Sequence, residues 1–144
     1  MTLYHLGENQ WRAYMTEELS RTSALASRHT ALGSGLEDWN GMGTAWTYDT
    51  NPNDEHDAVR EAAGMFDMSP LKKVFVRGPD AASTLDHLTT RDITKINQGK
   101  AAYLCVLTEN GGIADDAIVS NNGNDEWMIV HGSGDTMALL EASA

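Results

Sequence analysis

The sequence is poor in basic residues, in cysteine and in long apolar runs, and each shortage removes a class of protein. Ten Lys plus Arg stand against twenty-one Asp plus Glu, a net charge of −11. A chain this acidic repels phosphate backbones, so no nucleic acid is expected as a partner. The acidity is not gathered into a block of like charge and reads as a solvated, folded surface. Attraction of a cationic substrate is the sharper reading of the same charge. The longest uninterrupted apolar stretch is 101–107, seven residues. A membrane helix needs about twenty, so no membrane span is expected. The opening Met1-Thr2-Leu3-Tyr4-His5-Leu6 lacks the basic and apolar segments of a secretory leader. Cys105 is the single cysteine, which excludes a disulfide within the chain and fits a cytoplasmic location. It lies mid-strand and reads as a small buried hydrophobe rather than a nucleophile.

Several familiar sites are missing as well. The histidines stand at 5, 29, 56, 87 and 131, with no pair at helical ligand spacing, so no metal site is expected. Gly33-Ser34-Gly35 and Gly41-Met42-Gly43 start like dinucleotide loops, but Asp38 and Trp46 occupy the third glycine positions. There is no phosphate loop of Walker type and no nucleophile elbow.

What is present is one domain's worth of chain. Its 144 residues, 41% of them apolar, suffice for a real core. Trp11, Tyr14, Met15, Leu19, Leu25 and Ala26 recur at helical spacing and predict a helix over 8–32. Residues 33–53 are rich in glycine and turns, with one short extended candidate at 44–48. A second helix starts at Pro52, capped by Asn51 or Asn53, and stops at Gly64, a residue suited to a left-handed C′ position. Residues 65–68 read as a short strand and 71–77 as a longer one. Gly78-Pro79-Asp80 opens a helix with Ala81, Ala82, Leu85 and Leu88 along one stripe. His87, beside that stripe, reads as a packed or surface residue.

The last third predicts a three-stranded antiparallel meander over 101–108, 113–120 and 126–131. Asn110-Gly111 marks its first turn, read as type I′, and 121–124 the second. Ser133 or Asp135 is placed to cap a last helix through Met137, Leu139 and Leu140, which reads as interrupted at Ala144. The expected fold class is α+β, an antiparallel sheet with flanking helices.

Asp115-Asp116 is the anomaly. Two carboxylates stand inside the strand Ile113-Ala114-Asp115-Asp116-Ala117-Ile118-Val119, and adjacent strand residues face opposite ways. One aspartate joins Ile113, Ala117 and Val119, the other Ala114 and Ile118, so neither face looks solvated. A carboxylate beside apolar atoms is costly without partners. Each aspartate either caps a turn or pairs with a base such as Arg77, or one is poised for a ligand amine. These residues alone do not say which. Tyr103, on the next strand, and His131, at the end of the third, are placed to line one pocket with a carboxylate. Trp39 and Trp46 are equally open between core and ligand stacking.

Glu55-His56-x-x-Val59-Arg60-x-x-x-Gly64-Met65-Phe66-Asp67-Met68-Ser69 resembles the N-terminal region of the glycine cleavage system T-protein family, the tetrahydrofolate-dependent aminomethyltransferases. Val76-Arg77-Gly78-Pro79-Asp80-Ala81, Gly99-Lys100-Ala101-x-Tyr103 and Asn110-Gly111-Gly112-Ile113-x-Asp115-Asp116-x-Ile118-Val119 continue the likeness over roughly 50–131. The resemblance implies a folate-binding aminomethyltransferase-like domain, incomplete here. Residues 51–144 would be its N-terminal part and 1–50 a helical, glycine-rich extension. It implies transfer of a methyl or aminomethyl group from a methylated donor to tetrahydrofolate. Asp116 would be the catalytic carboxylate. Tyr103 would contact the folate, and Leu71, Phe75, Ile118 and Ile129 would line its pocket. His131 stands where the family usually has asparagine, so its contact to folate or donor is expected to differ.

Ser69-Pro70 and the N-terminal segment also depart from the family. Together the departures point to another donor, such as dimethylglycine, sarcosine, a methylated sulfonium or a methoxyaromatic. The chain covers well under half of a typical member, so it reads as a fragment, a split subunit or a degenerate remnant, and a partner chain or a second copy is the expected way of completing the fold. A non-catalytic folate-binding or assembly subunit is the alternative.

Overall fold

A computed structural model describes residue 19 and residues 21–132 and 134–143. The chain divides into two compact units, Met1–Asp67 and Met68–Ala144.

The described part of the first unit holds a small sheet and two helices. Strand β1 (Arg21–Thr22) runs parallel to β3 (Met42–Thr44), which pairs antiparallel with β2 (Glu37–Trp39). Asn40 and Gly41 link β2 to β3 with φ of 55° and 74°, the backbone of a two-residue type I′ hairpin. Helix α1 spans only Ala26–Ala31. The predicted helix over 8–32 is therefore broken by β1, and its portion at 8–18 lies outside the described residues. The extended candidate at 44–48 is displaced upstream to β3, because the Asn40-Gly41 turn fixes where pairing starts.

Helix α2 (Pro52–Glu61) forms as expected. The Asn51 carboxamide accepts from the Asn53 amide at 3.0 Å, Pro52 occupies the first turn, and Asp54 and Glu55 meet the positive end of the helix. It ends at Glu61 with Ala62 as its cap, ahead of Gly64, which does not take the left-handed conformation. Residues 65–68 form no strand, and Met65 and Phe66 are exposed.

The second unit is a four-stranded antiparallel sheet in the order β4-β7-β6-β5. Its strands are β4 (Lys72–Arg77), β5 (Ala101–Leu107), β6 (Ile113–Gly123) and β7 (Glu126–His131). Helix α3 (Ala81–Leu88), a 3-10 turn (Ile93–Lys95) and α4 (Thr136–Ser143) complete it. Outside the bulges of β6, residues alternate between two faces. Leu104, Val106, Ala117, Val119, Trp127 and Ile129 fall on one and pack with Leu85, Leu88, Ile93 and Leu140 from the helical side. Each fully buried aliphatic side chain there contributes about 1.5–3 kcal/mol. On the other face Phe75, Tyr103 and Ile118 remain 44–59% exposed.

The turns sort differently from expectation. The type I′ geometry sits at Asn124-Asp125, with φ of 53° and 55°, between the paired Gly123 and Glu126. At Asn110-Gly111 only the glycine has positive φ, at 75°. Thr108 donates to the Gly112 carbonyl at 2.8 Å and accepts from the Gly111 amide at 2.9 Å, which makes a three-residue loop. Pairing then skips Ala114, since Val106 meets Asp115 and Leu107 meets Ile113. That bulge takes Ile113 out of phase with Ala117 and leaves it exposed, so it does not share the face of Asp115 and Ala117.

Asp125→Val should lower stability by about 1–2 kcal/mol, because a β-branched residue resists positive φ. Asp125→Gly should not; urea unfolding of the two variants checks this.

Candidate functional site

The two aspartates of β6 project to opposite sides of the sheet. Asp116 lies on the open face with Ile118. Tyr103 stands on β5 directly across from Ile118, and Cys105 across from Asp116. The Tyr103 hydroxyl reaches diagonally to donate to Asp116 Oδ2 at 2.8 Å. Hydrogen bonding to Asp116, and its negative charge, hold the Tyr103 phenol above the ordinary tyrosine range. Arg91 Nε donates to the Tyr103 carbonyl at 3.1 Å and fixes the strand carrying the ring. Phe75, on β4, belongs to the same face, with the Arg77 guanidinium 4.8 Å from its ring centroid. Arg77 pairs with Glu126 at 2.6 Å and not with either aspartate. Leu71 precedes β4 and is half-buried.

Asp115 points into the core side, its side chain only 6% exposed. Its Oδ2 accepts from His131 Nδ1 at 2.9 Å, the Gly134 amide at 3.0 Å and the Thr136 hydroxyl at 3.1 Å. Its Oδ1 accepts from the Asp116 amide at 2.9 Å. Burial opposes ionisation of this carboxyl, but the four donors outweigh it and hold the group below the usual carboxylate range. A carboxylate only accepts, so Nδ1 of His131 carries the proton. His131 Nε2 is buried without a partner among the described residues.

Of the residues picked out in the sequence, Phe75, Tyr103, Asp116 and Ile118 come together on one face. Ile129 and His131 do not join them. Both are fully buried on the opposite face, so the expected pocket of Tyr103, carboxylate and imidazole does not form. The alternation Trp127, Ile129, His131 already carried that information. Gly134 and Thr136 went unrecognised, because their partner lies about twenty residues back along the chain. The first unit holds a second polar cluster that has no local signature in the residues. His29 bonds through Nδ1 to the Tyr48 hydroxyl at 2.8 Å and through Nε2 to Asp67 at 3.0 Å, and Ser23 donates to the same Asp67 oxygen. Trp39 and Trp46 pack against each other with their rings tilted by 42° and their centroids 5.4 Å apart. Among the described residues no group of His, Cys, Asp or Glu is placed to hold a metal ion, and no helix is long and apolar enough to cross a membrane.

Fold and site together define an α+β domain whose antiparallel sheet presents a phenol-bonded carboxylate on an open apolar face. Residues 25–142 match the GCVT N-terminal domain, and the chain belongs to that family. It is 54% identical over 124 residues to the heme-dependent oxidative N-demethylase gamma subunit of Ectopseudomonas mendocina (strain ymp), covering 86% of this chain and 33% of that protein. It is 39% identical over 125 residues to an aminomethyltransferase of Corynebacterium jeikeium (strain K411), covering 87% and 32%. The crystal structure of the glycine cleavage system aminomethyltransferase T from Bartonella henselae superimposes with a TM-score of 0.76 at 30% identity, over 87% of this chain and 36% of that one. The chain thus spans about a third of the length of these relatives.

The lowered Asp115 carboxyl makes a signed prediction. Its contribution to stability is complete above its unfolded pKa of about 3.9 and is lost as pH falls through the folded value. Asp115→Asn should cost about 1–3 kcal/mol at neutral pH and flatten the loss of stability below about pH 4. Urea unfolding between pH 2 and 7 measures both.

Proposed function

We propose that this chain carries the carboxylate-bearing part of a tetrahydrofolate-dependent one-carbon transfer site. In this reading a methyl or aminomethyl group passes from a methylated amine to the folate. The observation that carries the reading is the Tyr103–Asp116 pair, set on a face whose neighbouring side chains, Phe75 and Ile118, are apolar and exposed. A flat heterocycle with a few polar edges suits such a surface. The resemblance of the surrounding segments to folate-dependent transferases supports the same ligand.

Tetrahydrofolate supplies a nitrogen that accepts the one-carbon unit. The protein's part is electrostatic and positional. Asp116, oriented by the Tyr103 hydroxyl, stabilises positive charge developing on the donor amine and is placed to take a proton. Tyr103, Phe75 and Ile118 provide ring contacts, and Leu71 the rim beside β4. Ile129 and His131 support the sheet from behind. The N-demethylase relative favours a methylated amine over a sulfonium or an aryl ether. That relative is named as a subunit, which supports a partner chain that completes the site. We assign the chain to the cytoplasm on its single cysteine.

Calorimetric titration with tetrahydrofolate tests this. The chain should bind saturably, and Asp116→Asn should weaken binding by about ten- to a hundredfold, the loss of one charged hydrogen-bonding group. Tyr103→Phe should weaken it less. No binding, or binding indifferent to Asp116→Asn, contradicts the proposal.

A further inference from the structure

We propose that Asp115 is the positioning residue of the site: buried behind the sheet, it fixes the backbone from which Asp116 reaches the open face. The inference rests on the folate-site reading above and goes beyond it to a residue that touches no ligand.

Thr90 donates its amide to the Cys105 carbonyl and its hydroxyl accepts from the Cys105 amide. Cys105 therefore turns its backbone groups away from β6, and Asp116, directly opposite, turns its own toward β7. The last register pair between β6 and β7 is Ala117 with His131. Asp116 lies at the end of that ladder, and its amide donates to Asp115 Oδ1 at 2.9 Å.

The other oxygen of Asp115 is bound on three sides, by His131, Gly134 and Thr136. These donors come from the end of β7, the following loop and the start of α4. One carboxylate thus ties the catalytic strand to three separate points of the fold. The loop is shaped to admit it. A Cβ at Gly134 would stand 2.6 Å from the Ala114 carbonyl and 2.8 Å from Asp115 Cβ, and one at Gly132 would stand 3.0 Å from Asp115 Oδ1. Polar groups this well satisfied behind a functional side chain hold it in one geometry.

Asp115→Asn is a selective probe. Its carbonyl oxygen keeps the three donors on one side, while its amino group meets the Asp116 N–H donor to donor, so that single bond is lost. The readout is Tyr103, whose hydroxyl reports where the Asp116 carboxylate stands. Tyrosines labelled at the phenolic carbon are titrated by NMR without ligand, and Tyr103 is assigned with Tyr103→Phe. In Asp115→Asn, Tyr103 should move back toward the ordinary tyrosine value of about 10. Tetrahydrofolate affinity should fall about tenfold, and the double variant with Asp116→Asn should bind no more weakly than Asp116→Asn alone.

An unchanged Tyr103 titration in folded Asp115→Asn, or additive losses in the double variant, overturns the proposal. Should Asp115→Asn fail to fold, Thr136→Val removes one donor at constant shape and Thr136→Ser keeps it. Only the valine variant should shift Tyr103, and equal behaviour of the two overturns the proposal. A wild-type chain that binds no tetrahydrofolate yet shows the Tyr103 shift overturns the folate reading alone and upholds the positioning role.

Discussion

Successive side chains of a strand leave the sheet on opposite sides, and Asp115 and Asp116 are successive residues of β6. The architecture of the second unit follows from how each is accommodated. The inward carboxylate needs donors, and the chain brings four of them to it from β6, β7, the loop at 132–135 and α4. The outward one needs no burial, only orientation, and a phenol on the neighbouring strand supplies it. The unit therefore has a closed polar knot behind the sheet and an open polar pair in front, one residue apart.

This division sorts structural from chemical work. Behind the sheet a missing partner leaves a buried charge or an orphaned donor, which is expensive. The glycines at 132 and 134 and the shape of Thr136 reflect that cost. In front, Asp116 is exposed, and under the proposed function its value lies in what it does to a charge developing beside it. Phe75, Tyr103 and Ile118 leave apolar surface exposed on the same face as that carboxylate. A ligand, or a chain that closes over it, is the natural cover for such a surface.

Much of this was legible in the residues. The meander, α2 with its Asn51 cap, α3 with its stripe and the α+β class all follow from local pattern and turn chemistry. Adjacent carboxylates inside an apolar strand mark the candidate site, and the family resemblance singles out Asp116 as its proposed carboxylate. The misses have physical causes. Asn110-Gly111 has the signature of a two-residue turn, but an extra residue and a bulge at Ala114 decide the geometry and change the face of Ile113. Asn40-Gly41, the two-residue turn of the first unit, lies in a stretch whose glycines suggest only a loop. Gly64 suits a helix end, but the helix stops earlier, with Ala62 as its cap. Proximity along the sheet groups His131 with Tyr103, whereas strand phase places it with Ile129. Three of the four donors to Asp115 lie sixteen to twenty-one residues away in sequence, where no local pattern reaches.

The central claim is that tetrahydrofolate lies on the open face of the β4-β7-β6-β5 sheet, against Asp116. Chemical-shift mapping of backbone amides and methyl groups during a tetrahydrofolate titration tests it most directly. The account predicts saturable shifts concentrated at Phe75, Tyr103, Asp116 and Ile118, with Val119, Ile129 and His131 far less affected. Shifts centred on the buried face or on the first unit, or no saturable shifts at all, would contradict it.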